Sequence, residues 1–273
     1  MRVVHVRAQN PGPFTLEGTN TYVVSDAEGT WVVDPGPALP EHLAAVAAVV
    51  EASSAPWRGV LLTHDHADHA AGVPELLRRT GAAPVHAARG AVDVRLADGE
   101  VTGPFTVVAT PGHAPDHLAF VAGEELFSGD AVLGRGSVFL WPSPGALRGY
   151  LAALERLRAM ALMRLHPGHG PSGGDARARL TEYLAHRAAR EERLVAALAG
   201  GHRTAEALLD AAWSEVPAVL RPAAAVTLAA HLDKLGEERR LPEGVERPAT
   251  APRSPAVQPR ARRPGDGRSA QPP

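Results

Sequence analysis

The run Thr63-His64-Asp65-His66-Ala67-Asp68-His69 constrains this chain more than any other feature. It follows the apolar segment 59–62, which reads as a short buried strand, and leads into a helical stretch. Imidazole and carboxylate groups at this density, on a loop and the first turn of a helix, converge on one point beyond a sheet edge. Clustered imidazoles gain little without a metal or an acid partner, so H-x-H-x-D-H reads as a ligand nest. The chain contains no cysteine, which excludes disulfide scaffolds, thiol nucleophiles and thiolate metal sites. A metal centre here must use nitrogen and oxygen donors, which suit zinc first and manganese or iron next.

Three later segments repeat one grammar: Thr110-Pro111-Gly112-His113, Ser128-Gly129-Asp130 and His166-Pro167-Gly168-His169-Gly170. Each is a strand end, a tight turn containing glycine, and then a histidine or aspartate, so all three can face the first motif. The isolated His5, His42, His86, His186, His202 and His231 read as structural or surface residues.

The rest of the chain supplies the scaffold for these turns. Residues 1–35 read as strands broken by turns, and Pro40 opens a helix whose Leu43, Val46, Val49 and Val50 recur at helical spacing. A helix over 70–80, strands over 83–86 and 105–110, and a hairpin over 118–128 turning at Gly123 follow. Leu147, Leu151, Leu154 and Leu157 predict a further helix. A strand over 161–165 and a long helix over 175–199, stopped by Gly200-Gly201, complete this half. The pattern predicts an α/β fold, a mixed sheet with helices outside in two similar layers. Beyond Gly201 the pattern turns helical, with Thr204 capping a helix over 205–213 and Pro222 opening another over 223–235. With 236–244 as a short ribbon, this region reads as a winged-helix-like module or as a helical cap.

From 242 to 273 there are 8 prolines in 32 residues and no aromatic residue, the composition of a disordered tail. The expected organisation is therefore a main domain over 1–200, a small helical domain over 201–241, and the Pro/Arg-rich tail over 242–273. The formal charge of −2 divides into −5 for the body and +3 for the tail, so the body offers no global attraction to nucleic acid or anionic membrane. No apolar run is long enough for a membrane span and the first residues lack a signal-peptide order, which predicts a cytoplasmic protein.

With these motifs in hand, the sequence resembles the metallo-β-lactamase superfamily, whose H-x-H-x-D-H motif is matched by residues 64–69 and whose later ligands are matched by His113, Asp130 and His169. The resemblance implies an αββα sandwich with two divalent metal ions, zinc first, at its edge. It implies one ion on His64, His66 and His113, a second on Asp68, His69 and His169, and Asp130 bridging them. Residues 10–22, 127–130, 167–171 and the stretch from His186-Arg187 to Arg190-Glu191 are further similar to the β-lactamase-like protein 2 group, within the glyoxalase II-like branch. That group implies endoribonuclease activity on single-stranded RNA and a C-terminal winged-helix-like domain.

Such a centre serves hydrolysis by a metal-bridging hydroxide, with Asp68 orienting the nucleophile, His117 as a proton donor or a structural hydrogen bonder, and Asp34 supporting the ligand loops. Thr19 and Asn20 at the site mouth, and Arg187 and Arg190 on the long helix, are the expected substrate contacts. Single-stranded RNA heads the substrate expectations. A glyoxalase II-like thioesterase or other acyl hydrolase, taking a small ester or thioester, is the alternative, and a nucleic-acid-binding regulator with a vestigial metal site is a third reading of another class.

Overall fold

The structure, a computed structural model, describes residues 1–90 and 92–250. Its strands form two six-stranded sheets, each in near-sequential order. The first comprises β1 (Arg2–Arg7), β2 (Asn20–Ser25), β3 (Thr30–Val33), β4 (Trp57–Leu61), β5 (Val85–Ala87) and β6 (Val94–Arg95). The chain enters it as an antiparallel meander, then runs parallel from β3 to β6. Two of the parallel steps cross over through helices: α1 (Pro40–Glu51) joins β3 to β4, and α2 (Ala67–Ala70) and α3 (Val73–Thr80) join β4 to β5. The second sheet holds β7 (Val101–Thr102), β8 (Phe105–Ala109), β9 (Leu118–Ala122), β10 (Glu125–Gly129), β11 (Arg164–Pro167) and β12 (Gly174–Asp175). Here only β10 and β11 pair in parallel, and α4 (Ala146–Arg158) crosses between them.

Three apolar clusters weld the layers. Tyr22, Phe105, Phe120 and Phe127 lie between the two sheets and meet edge to face at 5.5 to 6.1 Å. Each such ring, fully buried, is worth roughly 1.5 to 3 kcal/mol of transfer free energy. Leu43, Val46 and Leu76 seat α1 and α3 on the outer face of the first sheet, while Leu147, Leu154 and Leu180 seat α4 and α5 (Ala176–Ala199) on the second. The result is the four-layer αββα arrangement that the resemblance implies.

Asp175 caps α5, its Oδ1 accepting from the Ala178 amide at 2.9 Å. Beyond α5, α6 (Ala205–Ala212) and α7 (Arg221–Glu237) pack on its last turns around Leu194, Leu208, Leu228 and Trp213. Thr204 caps α6 as the sequence predicts. No strand follows α7 among the described residues: 236–244, expected as a ribbon, are the end of that helix and turns. The part of the expected tail that is described is folded back. Glu246 receives the Ala205 amide at 3.0 Å and Arg247 pairs with Asp233 at 2.7 Å, so the ordered chain runs past 242. Residues 251–273, which carry the rest of the expected disordered tail, lie outside the described residues. The helix expected over 70–80 is two pieces, α2 and α3, broken at Ala71-Gly72. There Gly72 lies so close to the Gly36 carbonyl that a Cβ would stand 2.9 Å from it.

Candidate metal centre

All the proposed ligands leave the C-terminal ends of strands. Residues 64–69 follow β4, His113 follows β8, Asp130 follows β10 and His169 follows β11. These strands open on one edge of the sandwich, so four loops converge there. Their approach depends on missing side chains. A Cβ on Gly129, which has φ 48°, would lie 2.5 Å from Thr63 Oγ1, and one on Gly168 would lie 2.4 Å from Asp130 Oδ1 and 2.7 Å from His69 Cε1. Glycine at these positions is what lets the two sheets bring their loops into contact.

Three groups of side chains each place one donor atom per residue within 4.8 Å of the others: His64, His66 and His113; His64, His69 and Asp130; and Asp68, His69 and His169. His66 Nδ1 lies 2.9 Å from His64 Nε2 and 3.0 Å from His113 Nε2. His169 Nε2 is 3.3 Å from His69 Nε2, 3.2 Å from Asp68 Oδ2 and 3.4 Å from Asp130 Oδ2. Asp130 Oδ1 is buried without a hydrogen-bond partner. An orphaned carboxylate oxygen among five imidazoles, with nitrogen facing nitrogen at hydrogen-bond distance, fits divalent cations with nitrogen and oxygen ligands. The sequence's seven candidates are thus brought together as two overlapping nests that share Asp130 as neighbour.

The electrostatics divide the histidines. Burial, reinforced by the surrounding imidazoles, pushes His64 well below the ordinary histidine value; burial also lowers His113 to about 4. Burial opposes the charged form of His69 and His169 as well, but the facing Asp68 and Asp130 overcome it and raise them to about 9 and about 11. Asp68 responds in kind: desolvation resists its ionisation, yet His69 and His169 hold it at about 2.

A ring of supporting residues fixes these side chains. Asp34, in a left-handed backbone conformation (φ 49°) at the end of β3, accepts from the Thr63 amide at 2.8 Å and its hydroxyl at 2.7 Å, and its Oδ2 lies 2.8 Å from His69 Nδ1. That contact commits His69 Nδ1 to the carboxylate and turns Nε2 to the centre. His117 stands behind the cluster, 1% exposed, with Nδ1 2.7 Å from Thr110 Oγ1 and Nε2 accepting from the Asp130 amide at 3.0 Å. Both of its nitrogens are engaged in holding loops, so it has neither a free proton nor a path to a substrate. His166 points away and pairs with Glu125 at 2.7 Å. Asp65 lies 3.7 Å from Arg89.

Thr19 and Asn20 do not reach a site mouth. Both are fully buried, and Asn20 Nδ2 donates to the Pro167 and Gly170 carbonyls at 2.9 Å, clasping the turn that carries His169. Thr19 is tied to Asn10 by paired bonds at 2.9 Å and bridges to His169 through the backbone.

The centre opens into a cavity of about 530 Å³ between the sandwich and the C-terminal helices. Its wall combines His66, Asp68, His113, Asp130 and His169 with the apolar Phe14, Leu133, Phe139, Trp213 and Leu220. Phe139 packs edge to face on His113 at 4.8 Å and its carbonyl lies 3.3 Å from His113 Nδ1. Phe139 and Leu133, which position and enclose the centre, carry no periodic signal in sequence, because 130–145 is irregular chain. Arg187 and Arg190 also border this cavity but are only 3% exposed, each bonding a backbone carbonyl, Val138 and Ala212 respectively.

This four-layer sandwich with a His/Asp centre at one edge has the fold and site of a metal-dependent hydrolase. Residues 14–95 match the Metallo-beta-lactamase superfamily. The chain is 33% identical over 259 residues to lactamase-like protein aptB of Emericella nidulans, spanning 88% of this chain and 82% of that protein. It is 33% identical over 206 residues to an atrochrysone carboxyl ACP thioesterase of Cryptosporiopsis sp., covering 72% of this chain but only 63% of the relative. With the beta-lactamase-like protein 2 homolog of Caenorhabditis elegans it shares 30% identity over 216 residues, 72% of this chain and 70% of that one. Among solved structures, a metallo-beta-lactamase family protein of Thermus thermophilus superposes with TM-score 0.67 and 25% identity over 87% of this chain and 94% of that one. The protein TTHA1623, solved in a di-iron-bound form, gives TM-score 0.51 and 31% identity over 63% of this chain and 94% of its own. The chain belongs to the metallo-β-lactamase superfamily.

Proposed function

We propose that the protein is a dinuclear metal-dependent hydrolase that cleaves esters or thioesters with a largely apolar acyl group. The observation that carries this reading is the cavity: the His/Asp centre forms one wall, and the remainder is mostly apolar surface contributed jointly by the sandwich and by the segment around Trp213. His64, His66 and His113 would hold one ion, Asp68, His69 and His169 the other, with Asp130 between them. Such ions, zinc first and iron or manganese next, supply Lewis acidity toward a carbonyl or phosphoryl oxygen and activate water at neutral pH.

The chain's own residues do the positioning. Asp68 is the most open acid of the cluster, its side chain 30% exposed, and it is a carboxylate at neutral pH, so it faces the cavity as an acceptor that can orient an attacking water. His117 acts indirectly, fixing the backbone of Asp130. Phe14, Phe139 and Trp213 exclude bulk water from the scissile bond and receive an apolar chain. A relative named as an acyl-carrier thioesterase supports this substrate class.

Single-stranded RNA is the second reading, favoured by the similarity to the beta-lactamase-like protein 2 homolog. The residues proposed to grip its phosphates, Arg187 and Arg190, lie inside the fold rather than on a solvent-facing stripe, which argues for a smaller ligand. The test is a side-by-side assay of hexanoyl-pantetheine, S-lactoylglutathione and a single-stranded oligoribonucleotide, with metal analysis of the protein and its His66→Ala variant. Close to two metals per chain and thioester turnover lost in His66→Ala are expected. Protein that binds no zinc, iron or manganese refutes the enzyme reading, and cleavage of RNA alone transfers the assignment to the second one.

A further inference from the structure

The long helix α5 carries a buried stripe at Leu180, Tyr183, Arg187, Arg190, Leu194 and Ala197, the spacing of a core-facing helix. Two of its positions hold arginine where an apolar residue would pack. Cations line the cavity elsewhere as well, but each is matched to an acid: Arg135 with Glu17 at 2.6 Å, Arg179 with Glu182 at 2.5 Å, and Arg190 with Glu215. Arg187 is the exception. Among the described residues it makes no ion pair; its Nη2 donates to the Val138 carbonyl, its Nε is buried without a partner, and its guanidinium lies 5.7 Å over the Tyr150 ring.

A buried cation without a counter-ion is costly, and a carbonyl dipole together with the hydroxyl and ring of Tyr150 compensate it only in part. The neighbouring His186, which also borders the cavity, has a buried Nδ1 without a partner. Burial and the adjacent Arg187, Arg190 and Arg193 lower its affinity for a proton to about 4, so it adds a neutral ring rather than a second charge. The position of Arg187 is also defined relative to the centre. The carbonyl it holds belongs to Val138, and the next residue's carbonyl, that of Phe139, contacts His113.

We propose that Arg187 is the anchor for an anionic group of the substrate, held in the cavity away from the scissile bond, so that the protein selects acyl thioesters carrying a carboxylate on the acyl half or a phosphate on the thiol half. The planar guanidinium suits either anion, and burial makes the contact strong. This assignment rests on the ester and thioester reading given above. It adds a specificity site that the metal centre itself does not require.

Four thioesters separate the two sources of the anion: hexanoyl- and adipoyl-pantetheine, and the same acyl groups on 4′-phosphopantetheine. Each is assayed for kcat/KM with the full chain and with Arg187→Met and Arg187→Lys. In the wild type one anionic substitution raises kcat/KM, mainly through KM. In Arg187→Met that selectivity ratio falls about tenfold or more, the size of a lost charge-assisted bond, and Arg187→Lys recovers part of it. The ratio that falls, carboxylate or phosphate, identifies the anion. If Arg187→Met slows all four substrates in equal proportion, or loses metal along with activity, the guanidinium is only a clamp on the Val138 carbonyl and the proposal is overturned. If the wild type hydrolyses none of them, the ester and thioester reading fails instead. The anion site is then decided by the melting temperature in adipate and in 4′-phosphopantetheine. A rise that disappears in Arg187→Met supports it, and no rise in the wild type refutes it.

Discussion

Replacing Gly168 by alanine tests whether the centre depends on the close approach of its loops. The new Cβ would stand 2.4 Å from Asp130 Oδ1 and 2.7 Å from His69 Cε1, where ordinary contact begins at 3.4 Å. The carboxylate must therefore retreat by about 1 Å and the imidazole by somewhat less, or the 167–170 turn must lift. The turn is not free to lift, because Asn20 grips the Pro167 and Gly170 carbonyls and the Gly168 amide bonds the Gly129 carbonyl at 2.8 Å. Overpacking of this kind costs about 1 to 3 kcal/mol of stability, and misplacing a catalytic group by about 1 Å costs about 100-fold in rate. Gly123→Ala is the control for a glycine with free space around it. Gly123, unlike Gly168, has positive φ (59°), and nothing lies within 4 Å of its Cβ position, so it should lose only about 1 to 2 kcal/mol from backbone strain. Metal content by mass spectrometry, kcat/KM and thermal melting are compared for the two variants. Gly168→Ala should remain folded, bind less metal and lose about 100-fold or more in activity, while Gly123→Ala keeps both metal and rate. A Gly168→Ala protein with full metal and full turnover would show that Asp130 does not sit between the ions, and the assignment of the bridging residue would fall.

Two further outcomes follow from the supporting residues and the charges. Asp34→Ala strands the Thr63 amide and His69 Nδ1, which should cost roughly 1 to 3 kcal/mol per orphaned donor and lower metal affinity by about 10- to 100-fold; unchanged affinity in a metal-competition titration would remove Asp34 from the centre's support. In the metal-free protein, His69 and His169 are raised to about 9 and about 11, so both carry protons at pH 7, and metal uptake should release about two protons per chain. Metal affinity should then weaken as pH falls, whereas the stability the two histidines give the metal-free fold is full below pH 6.5 and lost as pH rises through 9 to 11. Calorimetry in buffers of different ionisation heat measures the proton count, and no proton release at pH 7 would contradict the ion-paired arrangement.

The contrast between these residues shows what a sequence of this kind discloses. The ligands are legible because they obey local rules: residues 64–69 crowd donors at the end of an apolar strand, and each of the later three follows a strand end and a glycine that permits a sharp turn, as in Ser128-Gly129-Asp130 and Pro167-Gly168-His169. The helix cap Thr204 obeys an equally local rule and falls where the sequence puts it, while Asp175, read from sequence as the first residue of the long helix, is its cap. Residues whose role is set by distant partners are not legible in this way. Thr19 and Asn20 look like a turn near a site, but the bonds that define Asn20 go to residues about 150 positions away, across the two sheets. His117 lies four residues from His113 and would suit proton transfer, yet its neighbours Thr110 and Asp130 consume both ring nitrogens.

Arg187 and Arg190 belong to a third kind, in which the local signal exists but points in two directions. Charge composition puts arginines on a solvated helix face, while the 3-4 spacing that runs through Leu180, Tyr183 and Leu194 puts these two on the buried face. The second rule wins here because α4, the chain at Val138 and the end of α6 cover that side of α5, leaving the arginines between the sandwich and the C-terminal helices. For Arg190 the conflict is resolved by Glu215 and by the Trp213 ring at 4.9 Å. For Arg187 no acid among the described residues resolves it. A helix of this length has ample surface on which to place a solvated arginine without cost. A cation retained on the buried stripe beside a cavity therefore calls for a ligand that completes it, and that physical demand links α5, which bears no metal ligand, to the chemistry at the sheet edge.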